Sequence, residues 1–231
     1  MVSAFALAHE AKAQTNLQTL YDFANDRGYI TTTLEGFYTD KWGNTFFFVD
    51  HDFATKDNGH VYAPSGTYAE LARCLNFWQN TALAPFSLQL EYNGGVYNGF
   101  TINNAYLAGV DWFLHSADFK NTLNLKVLYK NIDHGDSKVP MQFTVVWGFQ
   151  DLFGVQGLRF SGFADFWWED HVVDTELSRN VFISEPQLWY NIGRHIGVPN
   201  LNLGGEVELS YDFGTVKGFK ARPCLGAKWV F

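Results

Sequence analysis

The sequence predicts an all-β fold: a transmembrane, antiparallel, up-and-down β-barrel of about twelve strands. Apolar and polar residues alternate in segments of about ten residues, separated by clusters of Gly, Asn, Asp or Pro. Charged residues make up only 17% of the chain, against roughly 25% in a typical soluble protein. No stretch approaches the ~20 apolar residues that a membrane-spanning helix needs, and only helices and closed barrels can span a bilayer.

The alternation divides the chain into twelve predicted strands. They are expected at 15–25, 28–38, 44–53, 67–78, 84–93, 100–113, 119–131, 139–150, 157–168, 179–191, 200–213 and 217–231. The strand at 67–78 is the weakest, because Glu70 and Arg73 fall on opposite faces, which suggests a bulge or a wrong register. The segments 54–66 and 169–178 are predicted to be exposed loops.

The last strand shows the alternation most clearly. One face is apolar up to Phe231, and the other carries Lys220, Arg222 and Lys228. A soluble sandwich would show the same pattern turned around, but strands of about ten residues and aromatic residues near strand ends favour a membrane barrel. A tight turn near 214–216 would place Glu208 opposite Arg222 on the lumen side.

The chain is expected to comprise a signal-peptide remnant, residues 1–13, and a single barrel domain, residues 14–231. Residues 2–8 form a short apolar run, and 11–13 have the small-x-small pattern of a secretory cleavage site, although the basic n-region is missing. Export to a periplasmic or outer-membrane destination follows. Cys74 and Cys224 lack metal or redox spacing and are expected to be unpaired packing residues rather than a disulfide.

Several function classes are disfavoured. The net charge of -8 argues against nucleic acid as a partner, since phosphate binding needs a basic face. The chain has no G-x-S-x-G, phosphate loop or C-x-x-C, so no enzyme activity, cofactor or metal is expected. Asp50-His51-Asp52 resembles a metal cluster, but in a regular strand the two carboxylates point away from His51. Asp170, His171 and Asp174 have the chemistry to bind a divalent cation, but they are expected to be solvated loop residues.

The candidate binding residues lie on the polar faces that would line the lumen. They are acids, an amide, cations and aromatic rings: Glu35, Phe46, Phe48, Asp50, Asp52, Phe163, Asp165, Trp167, Glu185, Gln187, Glu206, Glu208, Arg222 and Lys228. Inward rings would stack on a flat solute, while acids and amides would hydrogen-bond its polar groups. The alternative is that the rings merely fill a small barrel, as side chains do in narrow ones.

Several stretches carry a resemblance to a known family. Residues 32–42 and 46–50 look like the second and third strands of that family, and 161–168 is similar to its Gly-Phe-x-x-Phe strand. Residues 21–23, 40–50 and 185–187 look like an uncharacterised branch of it. The family is the Tsx-like family, the nucleoside-specific channels of Gram-negative outer membranes, and the resemblance spans most of the mature chain.

The resemblance implies a twelve-stranded barrel that passes nucleosides by diffusion through a narrow, aromatic-lined lumen. The expected partners are outer-membrane lipid and a small solute, and the barrel is expected to be a monomer. The alternative function is an outer-membrane barrel with a structural or interaction role and no specific solute flux.

Overall fold

The computed structural model describes residues 14–53, 63–97 and 100–231 and is built almost entirely of antiparallel strands. Within these ranges, no helix has the length and apolar character needed to cross a membrane. Two short 3₁₀ helices, Leu152–Gly154 and Ile192–His195, lie in connections. The strands are β1 (Gln14–Asp22), β2 (Ile30–Asp40), β3 (Gly43–Phe53), β4 (Pro64–Leu75), β5 (Phe86–Tyr97), β6 (Phe100–His115), β7 (Asn121–Ile132), β8 (Met141–Gln150), β9 (Leu158–Val173), β10 (Glu176–Ser184), β11 (Gln187–Tyr190), β12 (Leu201–Tyr211) and β13 (Phe219–Val230).

The sheet closes into a barrel, because β13 pairs with β12 on one side and with β1 on the other. Strands β10 and β11 both lie between β9 and β12, so the 13 strands fill twelve positions around the barrel. The predicted fold class is confirmed.

The predicted strand 179–191 is interrupted in its middle. Pro186, which lies between β10 and β11, has no N–H to donate to a ladder. The carbonyl oxygen of Glu185 also approaches Gly162 of β9 so closely that a Cβ on Gly162 would lie 2.3 Å from it. The chain therefore leaves the regular ladder for two residues and rejoins it at Gln187.

Side chains alternate between the lumen and the outer surface. In β1, Gln18 and Leu20 are buried inside the barrel, whereas Leu17 and Tyr21 are exposed outside. Exposed apolar residues continue this outer face around the barrel: Leu34, Leu71, Leu88, Leu90, Tyr92, Tyr106, Val110, Trp112, Val127, Tyr129, Phe143, Leu188, Leu203, Tyr211, Leu225 and Trp229. An apolar surface this extensive matches the lipid-facing band of a membrane barrel.

The two ends of the barrel differ in which connections they carry. The start of β1 and the end of β13 meet at one end, where the Phe231 N–H donates to the Thr15 carbonyl oxygen. We call this the terminal end; the connections 41–42, 76–85, 116–120, 151–157 and 191–200 lie there. The described connections 23–29, 133–140, 174–175 and 212–218 lie at the opposite, distal end.

Two of the predicted elements need correction. The predicted loop 169–178 is a hairpin, because β9 continues to Val173 and β10 begins at Glu176. Asp170 there is not simply solvated: its Oδ1 lies 3.4 Å from Nε of Arg179 across the hairpin. In the strand predicted at 67–78, the alternation is regular rather than bulged at Glu70 and Arg73. The outward Arg73 forms an ion pair with Asp40 at 2.8 Å near the terminal end. A charge on the outer face of β4 is therefore compatible with a regular strand.

The expected signal-peptide remnant 1–13 lies outside the described residues, and so does most of the predicted loop 54–66, since β4 begins at Pro64.

The interior is mostly polar. Among the described residues, buried polar and charged side chains outnumber buried apolar ones. Small apolar clusters lie between the buried polar side chains, and one of these clusters joins Leu20, Trp189 and Cys224. Cys74 and Cys224 are both buried and unpaired, so the expectation of free packing cysteines is confirmed.

Candidate functional site

Many of the inward side chains that remain partly accessible lie on two opposite walls of the lumen, and we call this region the slit. Its walls are β2–β4 on one side and β9–β12 on the other, and β3 and β9 are half a turn apart around the barrel. The inward side chains of the slit are only partly buried. They are Glu35, Phe46, Phe48, Asp50, Tyr68, Glu70, Phe163, Asp165, Glu185, Gln187 and Glu206.

The two walls of the slit act on each other through their charges. Asp50 of β3 and Glu185, between β10 and β11, interact electrostatically across the lumen. Tyr68 of β4 interacts in the same way with Asp165 of β9. The acidic groups of both walls therefore share one electrostatic environment.

Aromatic rings form a ladder along one wall. The ring centroids of Phe46 and Phe48 are 6.0 Å apart, and those of Phe48 and Tyr68 are 5.8 Å apart. Phe46 and Phe48 share a face because they are two residues apart on β3, and Tyr68 joins them from β4, where it pairs with Asp50. Phe163 supplies a ring on the opposite wall. Partly accessible rings present apolar faces on which a flat solute can stack.

Hydrogen-bond acceptors lie beside these rings. Asp50 Oδ1 accepts from the Thr33 hydroxyl at 2.5 Å, and Glu206 Oε2 accepts from Gln187 at 2.8 Å. Asp165 Oδ1 is buried and has no hydrogen-bond partner among the described residues. Each ionised carboxylate has about four lone-pair sites, so Asp50 and Glu206, which are partly accessible, retain capacity to accept further hydrogen bonds.

The slit is acidic. Its six carboxylates belong to Glu35, Asp50, Glu70, Asp165, Glu185 and Glu206. Lys126 and Lys130 of β7 interact electrostatically with Glu70, and Arg159 of β9 interacts with Glu35. Lys228 also acts on Glu35 and Glu206, so cations accompany the acids on both walls of the slit.

The lumen on either side of the slit is closely packed, and we call these regions the flanks. The first flank is formed by β13 and β1. There Arg222 Nη1 donates to Glu208 Oε1 of β12 at 2.6 Å, and both side chains are buried. The predicted pairing of these two residues is confirmed. Lys228 lies 4.5 Å from the ring centroid of Trp189, which is 1% exposed.

The second flank is formed by β5–β8. Gln89, which is fully buried, donates to Glu91 Oε2 at 2.6 Å. Asn124 donates to both oxygens of Asp111, at 3.0 and 2.8 Å. A polar network with partners for its members holds this part of the lumen closed.

All fourteen candidate binding residues face the lumen, as the alternation predicts. Nine of them line the slit: Glu35, Phe46, Phe48, Asp50, Phe163, Asp165, Glu185, Gln187 and Glu206. The other five face the lumen but are buried among neighbours: Asp52, Trp167, Glu208, Arg222 and Lys228. Trp167, for example, lies beneath Lys130 at 3.7 Å and donates to Glu169.

Sequence reasoning missed several lumen residues, among them Tyr68, Glu70 and Arg27. Tyr68 and Glu70 follow from the regular alternation of β4, but the outward charge of Arg73 obscured that register. Arg27 lies in the 23–29 connection, where strand alternation gives no signal, yet its side chain reaches the lumen residues Asp22 and Glu208.

The Asp50-His51-Asp52 segment has the predicted geometry. Asp50 and Asp52 point inward and accept from threonines of β2, whereas His51 is exposed outside and contacts Thr67. In the part of the chain that the structure describes, no three His, Cys, Asp or Glu side chains are grouped as a metal site.

The fold is that of a membrane β-barrel, and the chain belongs to the family described as "Domain of unknown function (DUF5020)", whose model matches residues 15–231. No curated protein matches the sequence.

Solved structures with a similar chain path include a membrane protein studied for in-meso crystallization, at 8% identity and a TM-score of 0.49, covering 94% of this chain and 83% of that one. A BenF-like porin from Pseudomonas fluorescens Pf-5 has 8% identity and a TM-score of 0.45, covering 96% and 99%. OccK8 (OprE) from Pseudomonas aeruginosa has 9% identity and a TM-score of 0.39, covering 96% and 98%. At these values the likenesses carry no argument about function.

Proposed function

We propose that this barrel is a channel of the Gram-negative outer membrane that passes nucleosides, or similar flat polar solutes, by diffusion through the slit. The observation that carries the proposal is the ring ladder of Phe46, Phe48 and Tyr68 beside the acids of the same lumen. No cofactor, metal or catalytic step takes part. The Tsx-like resemblance of the sequence supports the choice of nucleosides within this solute class.

The outer-membrane location is supported by the outer surface. Exposed Leu, Val, Tyr, Phe and Trp side chains surround the barrel, and this surface is stable in lipid rather than in water. We expect the protein to need detergent for extraction and to migrate differently on gels before and after boiling. Recovery of a folded, detergent-free monomer would contradict this part of the proposal.

The chemistry of the slit fits a solute with a planar ring and hydroxyl groups. A base stacked on Phe48 would place its sugar near carboxylates, whose remaining lone pairs can accept from sugar hydroxyl groups. Stacking contributes ~1–3 kcal/mol per base in proteins that bind single-stranded nucleic acid. Attraction of that size concentrates the solute in the lumen and still lets it leave, as conduction requires.

The direct test is liposome swelling with adenosine or thymidine against a sugar of similar mass. We expect nucleosides to enter faster than the sugar, and a nucleoside monophosphate to enter more slowly because the slit is acidic. Equal rates for the nucleoside and the sugar would contradict recognition by stacking. Complete absence of flux through folded protein would favour the alternative, a barrel with a structural or interaction role.

A matched pair of variants on β3 sharpens this test. Phe48→Leu removes an inward ring, whereas Phe47→Leu removes its outward neighbour, which stacks on Tyr38 at 6.1 Å on the lipid side. We expect F48L to reduce the preference for nucleoside over sugar by roughly tenfold, as the loss of one stacking contact implies. F47L should leave the preference unchanged. The same loss in both variants would point to a general disturbance of β3.

A further inference from the structure

The connection 23–29, between β1 and β2, lies at the distal end of the barrel, and its Arg27 side chain reaches inward-facing acids. The chain leaves β1 at Asp22 and returns to the ladder through the bond from the Asp22 N–H to the Tyr29 carbonyl oxygen, at 3.0 Å. Gly28 has a φ of 73°, a left-handed conformation that glycine adopts without strain. This turn directs the side chain of Arg27 toward the lumen.

Arg27 is held by acids that belong to the lumen face. Its Nη2 lies 2.7 Å from Glu208 Oε2 of β12, and its Nη1 lies 3.3 Å from Asp22 Oδ2 of β1. Its charge also acts on Asp52 of β3 and on Glu185 of the slit. The guanidinium of Arg27 thus bridges acids of β1 and β12 and adds positive charge near the slit.

The connection is attached to β13 by a backbone hydrogen bond from the Phe23 N–H to the Pro223 carbonyl oxygen, at 3.0 Å, and by charges. A second ion pair joins Asp26 to Arg222 of β13 at 2.7 Å. Hydrogen bonding from Arg222 holds the pKa of Asp26 below its ordinary value, so the pair persists at neutral pH. The residues between these attachments are small or polar, and Phe23 turns outward, where it is 55% exposed and packs on Tyr21.

We propose that Arg27 is a specificity-determining residue of the channel: its guanidinium narrows the distal mouth and supplies positive charge that limits passage of cations into the acidic slit. This inference rests on the proposed channel function. Removal of the side chain would widen the mouth and leave Asp22 and Glu208 with less compensating charge. The pore would then conduct more and select more strongly for cations.

The test is single-channel recording in planar bilayers with wild-type protein, Arg27→Ala and Arg27→Lys. We expect R27A to raise the conductance and to raise the cation-to-anion permeability ratio at least roughly twofold, as one charge about 8 Å from a permeating ion in a water-like dielectric implies. R27K keeps the charge and should keep the wild-type permeability ratio. Gel mobility before and after boiling confirms that each variant is folded.

Lys217→Ala is the matched control. Lys217 also forms an ion pair at the distal end, 2.7 Å from Glu176, but both side chains are exposed outside the lumen. K217A should conduct and select as the wild-type protein does. A change in K217A equal to that in R27A would overturn the inference.

The outcomes separate this inference from the channel proposal. Current in wild-type protein that is unchanged in R27A, in both conductance and selectivity, overturns only the role of Arg27. Current that appears in R27A but not in wild-type protein supports both the channel and the closure by Arg27. Absence of current through folded wild-type and R27A protein overturns both.

Discussion

The slit and the flanks are lined by the same kinds of residues on the same kind of strand, yet one is accessible and the others are packed. Glu206 and Glu208 illustrate the difference, because they are two residues apart on β12 and point the same way. Glu208 lies opposite Arg222 and is 6% exposed. Glu206 lies opposite Cys224 and Gln187, has no cation opposite it, and stays partly accessible.

The residue opposite an inward acid on the neighbouring strand decides whether its carboxylate is buried in an ion pair or stays accessible to the lumen. A buried carboxylate must be paired and hydrogen-bonded, since desolvation of an unpaired charge is costly. Where a cation lies opposite, the two groups close the space between strands. Where the opposite position holds an amide or a small side chain, the acid keeps contact with the lumen.

The largest expected effect is a loss of stability on removal of a buried aromatic ring that packs in the first flank. Trp189→Ala removes a ring that is 1% exposed and packs with Leu20 and Cys224. We expect it to lower the free energy of unfolding by about 3–5 kcal/mol, measured by urea unfolding from lipid vesicles. Phe163→Ala, in the slit, should cost clearly less, because that ring is only partly buried. Equal losses would mean that the slit is packed like the flank.

The next effect separates the two glutamates of β12. Glu208→Gln removes the charge that holds Arg27 and Arg222, and we expect a loss of about 2–4 kcal/mol in the free energy of unfolding. Glu206→Gln should leave stability nearly unchanged but weaken the preference of the channel for cations, measured from reversal potentials. If E206Q destabilises the barrel as much as E208Q does, the distinction between slit and flank fails.

The smallest effect lies outside the lumen, in the terminal-end connection 151–157. A hydrogen bond from Lys120, at 2.8 Å, and one from the Gly157 N–H lower the pKa of Asp151 to about 2. Because the folded pKa lies below the ordinary value of about 3.9, this contribution to stability is present above that value. It is lost as pH falls toward 2.

Titration of the Asp151 carboxyl by NMR in detergent micelles would measure this pKa. Lys120→Ala should move it partway back toward the ordinary value, with the Gly157 bond still present. An unchanged pKa in K120A would show that Lys120 is not the main cause.

Alternation of side chains was enough to predict most of the barrel. The period of two in β12 and β13 predicted both the lumen face and the pairing of Glu208 with Arg222, because register in a short hairpin follows from its turn. It also placed all fourteen candidate residues inside. It failed where local chemistry breaks the period, at Pro186 between β10 and β11, and at 169–178, where polar residues continue a hairpin.

The amino-acid sequence by itself determined which residues face lipid and which face the lumen, since that depends only on neighbours along one strand. The division of the lumen into slit and flanks was decided by the tertiary structure. It depends on which side chains pair across strands, such as Glu208 with Arg222, and on which charges face each other across the barrel, such as those of Asp50 and Glu185. The position of Arg27 likewise depends on closure, because the acids that hold it, Asp22 and Glu208, lie at opposite ends of the chain and meet only when β13 joins β1 to β12.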